Sequence, residues 1–252
     1  MTRFSFHAAA AAAGGFFTRP FCEPLPVQAA SFLTPAGGYG SARVEHFRFH
    51  EIISFKAAYT QVMGTRHTEK DVDIFDTLAQ AVIEDLNILG VVTADRIVAR
   101  ITSRHRSDAA SPEMAASPFG SRIDNLKIAG QTMSPVCHPR LFEDQFATRT
   151  QILRADIASA LGAPPAGTPR PSVPAANDTL RFSIFDPIRD KVTGMQPSQG
   201  CKITVPSLGD IFLGEFVVTG ATRHLSMLRI ELHSPEEGEV VFGAVEGNGS
   251  QY

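Results

Sequence analysis

Ile83-Glu84-Asp85-Leu86-Asn87-Ile88-Leu89-Gly90 returns forty positions later as Ile123-Asp124-Asn125-Leu126-Lys127-Ile128-Ala129-Gly130. In both copies apolar residues recur with mostly two-residue spacing, an acid follows the first isoleucine, and a glycine closes the phrase. That pattern reads as a β-strand running into a turn. Glu215 to Gly220 is a looser third version and Glu45-His46-Phe47-Arg48-Phe49 a fourth. With Phe47, Leu86, Leu126 and Phe216 as markers, the spacings are 39, 40 and 90 residues, so a period holds for three units and then stretches. A fixed period of about 20 to 50 residues signals stacked supersecondary units. The expected fold is therefore mainly β, repeat-built as a β-solenoid or a large β-sandwich, with one helical, Pro-rich insertion.

Working outward, Val91 to Thr102 alternates over a full strand. Residues 69 to 82 admit two readings. Val72, Phe75, Leu78, Ala79, Val82 and Leu86 fit a helical stripe, whereas Thr77, Val82 and Ile83 favour strand. Ala42 to Tyr59 predicts either a hairpin or one long bulged strand. Ala8 to Ala13 is read as strand, because Gly14-Gly15 stops a helix early and small side chains let another sheet pack closely. Pro20, Pro24, Pro26 and Pro35 mark an extended, irregular crossing with no room for a helix, and residues 105 to 119 a polar surface loop. Leu141 to Leu161 carries a helical apolar face with Gly162 at its C-terminal cap, and five prolines follow between Ala163 and Ala176. The expected organisation is a β region over 1–138, the helix and Pro-rich insertion over 139–177, and a closing β region over 178–252 that packs with the first as one domain.

The formal charge of −3 over 252 residues gives no electrostatic footprint for nucleic acid. Eighteen Phe against three Tyr and no Trp favour an apolar interior over a recognition surface. Three scattered cysteines, Cys22, Cys137 and Cys201, make neither a disulfide scaffold nor a zinc ribbon. At the N-terminus Arg3 precedes an alanine run, but His7 and Gly14-Gly15 interrupt it and speak against a signal peptide. No stretch of about twenty apolar residues is present to span a membrane as a helix.

Few residues point to chemistry. Asp71, Asp73 and Asp76 gather carboxylates suited to Ca²⁺, although the stretch lacks the glycine and terminal glutamate of an EF-hand; on a helix they would be N-terminal charge. His46 and His50 share a strand parity but lie about 13 Å apart at strand rise, too far for one ion. Cys137-His138 is the one adjacent thiol and imidazole, in a proline-flanked loop, and sequence adjacency is not how a nucleophile meets its base. Glu84 and Asp124, equivalent acids of the two phrases, would have to face each other to act as a glycosidase pair. No GxGxxG or P-loop occurs.

The run from Ile83 to Asp95, followed by Ile123 to Gly130, resembles the β-repeat pattern of bacterial choice-of-anchor surface proteins. That resemblance implies an extracytoplasmic, β-rich protein with no assigned enzymatic activity, and transfers no functional residues. The function expected is that of a non-enzymatic structural protein, a homo-oligomer that self-associates in a surface layer or filament. The alternative is a ligand-binding β module for polysaccharide or a small apolar molecule; an enzyme ranks third.

Overall fold

A computed structural model describes residues 4–108, 115–137, 180–185, 196–197, 202–219, 222–233 and 235–251. The described residues form two antiparallel sheets. Sheet I contains β1 (Phe4–Arg19), β2 (Glu23–Phe32), β11 (Leu180–Ser183), β12 (Gln196–Pro197), β13 (Lys202–Val205), β14 (Gly209–Thr219), β15 (Thr222–Leu232) and β16 (Glu237–Gln251), in the order β12-β13-β14-β15-β16-β1-β2 with β11 beside β14. Sheet II contains β3 (Gly38–Phe49), β4 (Ile53–Glu69), β5 (Val72–Ile88), β6 (Val92–Arg106), β7 (Ala115–Ser117), β8 (Arg122–Asp124), β9 (Leu126–Ile128) and β10 (Gln131–Met133), in the order β10-β9-β6-β5-β4-β3 with β7 and β8 on β6.

The inner faces pack on each other through one apolar cluster. Phe4 of β1 stacks on Phe75 of β5 with ring centroids 4.3 Å apart, and Phe17 at the other end of β1 stacks on Phe49 of β3 at 5.2 Å. The arrangement fits a β-sandwich. Every strand pairing among the described residues is antiparallel, so none is the coil-on-coil stacking of a parallel solenoid.

Residues 72 to 88 are strand, because Phe75, Thr77, Ala79, Ala81 and Ile83 are buried at a strict period of two. The apparent helical stripe borrowed Leu78 and Val82 from the opposite face. Residues 42 to 59 form the β3–β4 hairpin. The alanine run is strand, lying between β16 and β2 with Ala8, Ala10, Ala12 and Ala13 buried. The proline-marked crossing contains strand β2, which tolerates Pro24 and Pro26 because it is the sheet edge and needs no donor on its free side. The loop over 105–119 includes the short strand β7. The helix and Pro-rich insertion over 139–177 lie outside the described residues.

The echoed phrase has a structural meaning beyond strand and turn. Its two copies flank β6 in the same register: Ile83 and Ile123 pair with Ile97, Glu84 and Asp124 with Arg96, Asn87 and Lys127 with Thr93, Ile88 and Ile128 with Val92. Each copy skips three positions once, from Ile83 to Leu86 and from Ile123 to Leu126, and all four of these side chains are buried. The extra residue is a β-bulge. Equivalent bulges cross the whole sheet, so His46, Lys56, Asp85, Asp95 and Asn125 form a transverse line of exposed side chains and the register stays in step. His46, Asp85 and Asn125, on alternate strands, have φ of 52°, 54° and 51°.

Sheet I carries a second such line through Gly214, Met227, Gly243, Ala12 and Ala29, with φ of 61° at Gly214, 64° at Gly243 and 46° at Ala29. Here the doubled residues of β14, β15, β16 and β1 point into the core. A Cβ at Gly243 would lie 3.4 Å from Ala99 Cβ and Ile97 Cγ2, so the two sheets touch at this bend.

Candidate functional site

Among the described residues β2 pairs only with β1, and this free edge of sheet I presents an apolar strip. On the outer face, Ala9, Ala11 and Gly14 of β1 lie beside Phe32, Ala30 and Val27 of β2, and Phe16 pairs with Pro24. The small residues leave a low, flat surface, and the large ones project from it: Phe32 is 72% exposed, Val27 61% and Phe16 42%. Pro24 and Pro26 remove backbone donors from the first half of β2, whereas residues 27 to 32 keep theirs. Beyond Phe32 the chain turns the corner into sheet II: Leu33 donates to the Ala8 carbonyl, and a Cβ at Gly40 of β3 would meet the Phe32 carbonyl oxygen at 3.0 Å.

A second feature is an open cleft of about 660 Å³ at one end of the sheets, lined by Pro20, Phe21, Arg48, His50, Glu51, Ile52 and Glu236. The His50 ring stacks on Phe21 at 4.3 Å and 9°, meets Phe49 edge-on at 4.6 Å, and its Nε2 lies 3.1 Å from Glu23 Oε2. Arg48 bonds Glu51 at 3.3 Å. Arg48 and His50 of the cleft thus each meet an acid.

The residues singled out in the sequence are not brought together. Asp71 sits in the β4–β5 turn with φ of 66°. Asp73 accepts from Arg66 at 2.6 Å and from Thr68 at 2.9 Å, and these bonds, the guanidinium's first, hold its carboxyl below the usual range. Asp76 takes the fork of Arg104 at 2.7 and 3.3 Å, with His67 at 3.6 Å. An odd separation sends Asp73 and Asp76 to opposite faces of β5. Among the described residues no three His, Cys, Asp or Glu side chains are grouped to hold a metal ion. His46 belongs to the exposed bulge line, and His50 to the cleft. Glu84 and Asp124 do not face each other, since β6 lies between them with Arg96 at their level, 4.0 Å from Glu84 and bonded to the Tyr59 hydroxyl at 2.6 Å. Cys137 bridges to Phe185, and His138 lies outside the described residues.

The sequence reading missed a charged cluster on the outer face of sheet I. The Arg229 guanidinium lies 3.8 Å over the Phe212 ring, forks onto Glu215, bonds Glu231, and has Glu239 at 3.6 Å. Burial opposes its charge, but the hydrogen bonds it donates to Glu215 and Glu231 more than compensate and hold the guanidinium protonated beyond its ordinary range. Burial also pushes His224 below the usual imidazole value, while its Nε2 contacts the Ser226 hydroxyl at 2.9 Å. Asp210 is held low against the opposing effect of burial by Lys202 at 2.7 Å and Thr204 at 2.6 Å. The signal available was charge alternating with apolar residues at Glu215, Arg229, Glu231 and Glu239 in three neighbouring strands.

Among the described residues no helix is long and apolar enough to cross a membrane, which leaves β-barrels unaddressed. Residues 4–161, spanning all of sheet II and strands β1 and β2, match the model of a domain of unknown function, DUF8256, and the chain belongs to that family. No curated protein and no solved structure matches it.

Proposed function

We propose that the protein is a non-enzymatic structural subunit that self-associates through the free edge of sheet I, as part of a surface layer, filament or similar assembly. The observation that carries this reading is the strip of Ala9, Ala11, Gly14 and Ala30 flanked by the exposed Phe16, Val27 and Phe32 at an edge strand. Contiguous exposed apolar surface and unpaired strand edges both favour association. A second copy pairing β2 with β2 about a two-fold axis would continue sheet I from one molecule into the next and cover the phenylalanines of both. The small residues let that copy approach closely.

Light scattering over a concentration series, with electron microscopy of the same samples, tests the proposal. The expected result is a dimer or higher species whose population rises with concentration, and a monomer for the Val27→Lys/Phe32→Glu double variant at the same concentrations. A monomer for the native chain throughout would overturn it.

A further inference from the structure

The outer face of sheet II carries a line of arginines, and among the described residues all but one of those on it are answered by a carboxylate. Arg43 meets Glu45, Arg96 meets Glu84, Arg104 meets Asp76, Arg106 meets Asp108 and Arg122 meets Asp124. Among the described residues Arg100, in the middle of β6, meets no carboxylate, and its buried Nε, like that of Arg96, has no hydrogen-bond acceptor. Its backbone is well fixed: the Ser121 hydroxyl accepts from the Arg100 N–H at 2.9 Å and donates to the Arg100 carbonyl at 3.0 Å. The guanidinium thus extends from a fixed backbone with no carboxylate of the described residues against it.

Its neighbours across the sheet extend that chemistry. Arg100 pairs with Gln80, Gln80 with Gln61, and Gln61 with Ser41, and all four side chains lie on the outer face, since Ala99, Ala79, Val62 and Ala81 on the alternate positions are buried in the core. No hydrogen bond within the protein ties up the amides of Gln80 and Gln61. At the usual strand spacing the row is about 14 Å long. Beside Arg100, Phe119 is 52% exposed, in the turn whose Gly120 packs on the arginine side chain.

We propose that this row binds an acidic polysaccharide, with a uronate carboxylate on Arg100 and sugar hydroxyls on Gln80 and Gln61. A planar guanidinium recognises a carboxylate through paired N–H donors. The amides supply both donor and acceptor for neutral hydroxyls, and the Phe119 ring offers an apolar face to a sugar ring. β4 and β5 are interior strands, and on the far side of β6 the Arg100 backbone is taken by the Ser121 hydroxyl, so an extended peptide gains no backbone bonds here, and a flat, hydroxyl-rich chain suits the row better.

Isothermal titration with tetragalacturonic acid tests the site, with a neutral tetramer of galactose and an acidic hexapeptide as comparison probes. The uronate is expected to bind, the neutral tetramer to bind at least 10-fold more weakly, and Arg100→Gln to weaken the uronate at least 10-fold while its thermal unfolding matches the native chain. Gln80→Ala, further along the row, is expected to weaken it about threefold. Absence of uronate binding, equal binding by Arg100→Gln, or tighter binding of the peptide than of the uronate would each overturn the proposal. The site is remote from the β1–β2 strip, so the Val27→Lys/Phe32→Glu chain is expected to bind the uronate as the native one does.

Discussion

The two sheets use the same backbone device with opposite chemistry. Each is crossed by a line of bulges whose alternate strands hold a left-handed residue. In sheet II the doubled residues face water and are polar: Glu84-Asp85, Asp95-Arg96, Asp124-Asn125. In sheet I they face the core and are small or apolar: Leu213-Gly214, Met227-Leu228, Phe242-Gly243, Ala12-Ala13. The left-handed conformation costs an ordinary L-residue roughly 1–2 kcal/mol, less for Asp or Asn and nothing for Gly. Where the side chain points outward, Asp85 and Asn125 serve. In sheet I the core-facing left-handed positions are Gly214, where a Cβ would run into Phe185, and Gly243, while Ala29 holds the equivalent position on the edge strand. The direction a bulge faces decides whether its residues are polar or apolar.

The largest expected effect separates the outer faces. Arg229 is buried among acids on sheet I, so Arg229→Met removes two of the three hydrogen bonds to Glu215, whose side chain is only 14% exposed and keeps Arg181 at 3.3 Å. A loss of about 3–5 kcal/mol is expected in urea unfolding, recovered in large part by adding Glu215→Gln. Arg100→Met on sheet II, with no partner to strand, should change stability by less than about 1 kcal/mol. Equal losses at the two sites would break the contrast.

Within sheet I, the two bulge glycines should differ. A Cβ at Gly214 would lie 2.5 Å from Phe185 Cδ2, whereas the nearest atoms at Gly243 stand at 3.4 Å. Gly214→Ala therefore adds overpacking to backbone strain and should cost about 2–4 kcal/mol; Gly243→Ala should cost about 1–2 kcal/mol from the backbone alone. Chemical denaturation of both variants reads the difference.

On sheet II the requirement is the backbone alone. Asp85→Val, β-branched at φ 54°, should destabilise by about 1–2 kcal/mol, while Asp85→Gly should be neutral or stabilising by less than about 1 kcal/mol. A destabilising Asp85→Gly would show that the aspartate, whose carboxylate lies 3.8 Å from Lys56 Nζ, contributes more than its conformation.

The smallest effect concerns pH. Burial lowers the His224 pKa in the folded state, so below the ordinary imidazole value of 6.5 the unfolded chain takes up a proton that the folded chain refuses. The His224 contribution is unperturbed above that pH and becomes destabilising as pH falls through it. Urea midpoints at pH 7.5, 6.5 and 5.5 should decline more for the native chain than for His224→Gln.

Much of the strand content was legible because two-residue alternation survives wherever one face is buried, as in Val92 to Thr102. The repeated phrase was also visible, but its single three-residue gap was absorbed into "mostly two-residue spacing". A bulge is one extra residue, and a strand reading that tolerates irregular spacing discards the very signal. The segment 72–88 stayed ambiguous because Leu78 and Val82 are apolar on the outer face, which counterfeits a helical stripe. The apolar strip was anticipated only as alanines fit for close packing; which edge they would lie on depends on β16 returning from the far end of the chain to pair with β1. Arg100 was illegible for a simpler reason. What distinguishes it is a missing partner, and partners across a sheet are set by register.

Amide hydrogen exchange of β2 as a function of protein concentration tests the self-association account most directly. Pairing through the free edge predicts that, within residues 27 to 32, the alternate amides pointing away from β1 become protected as concentration rises, with β5 and β6 already protected and unchanged. Exchange in β2 that is the same at every concentration, in samples where light scattering finds oligomers, would place the contact elsewhere and contradict the account.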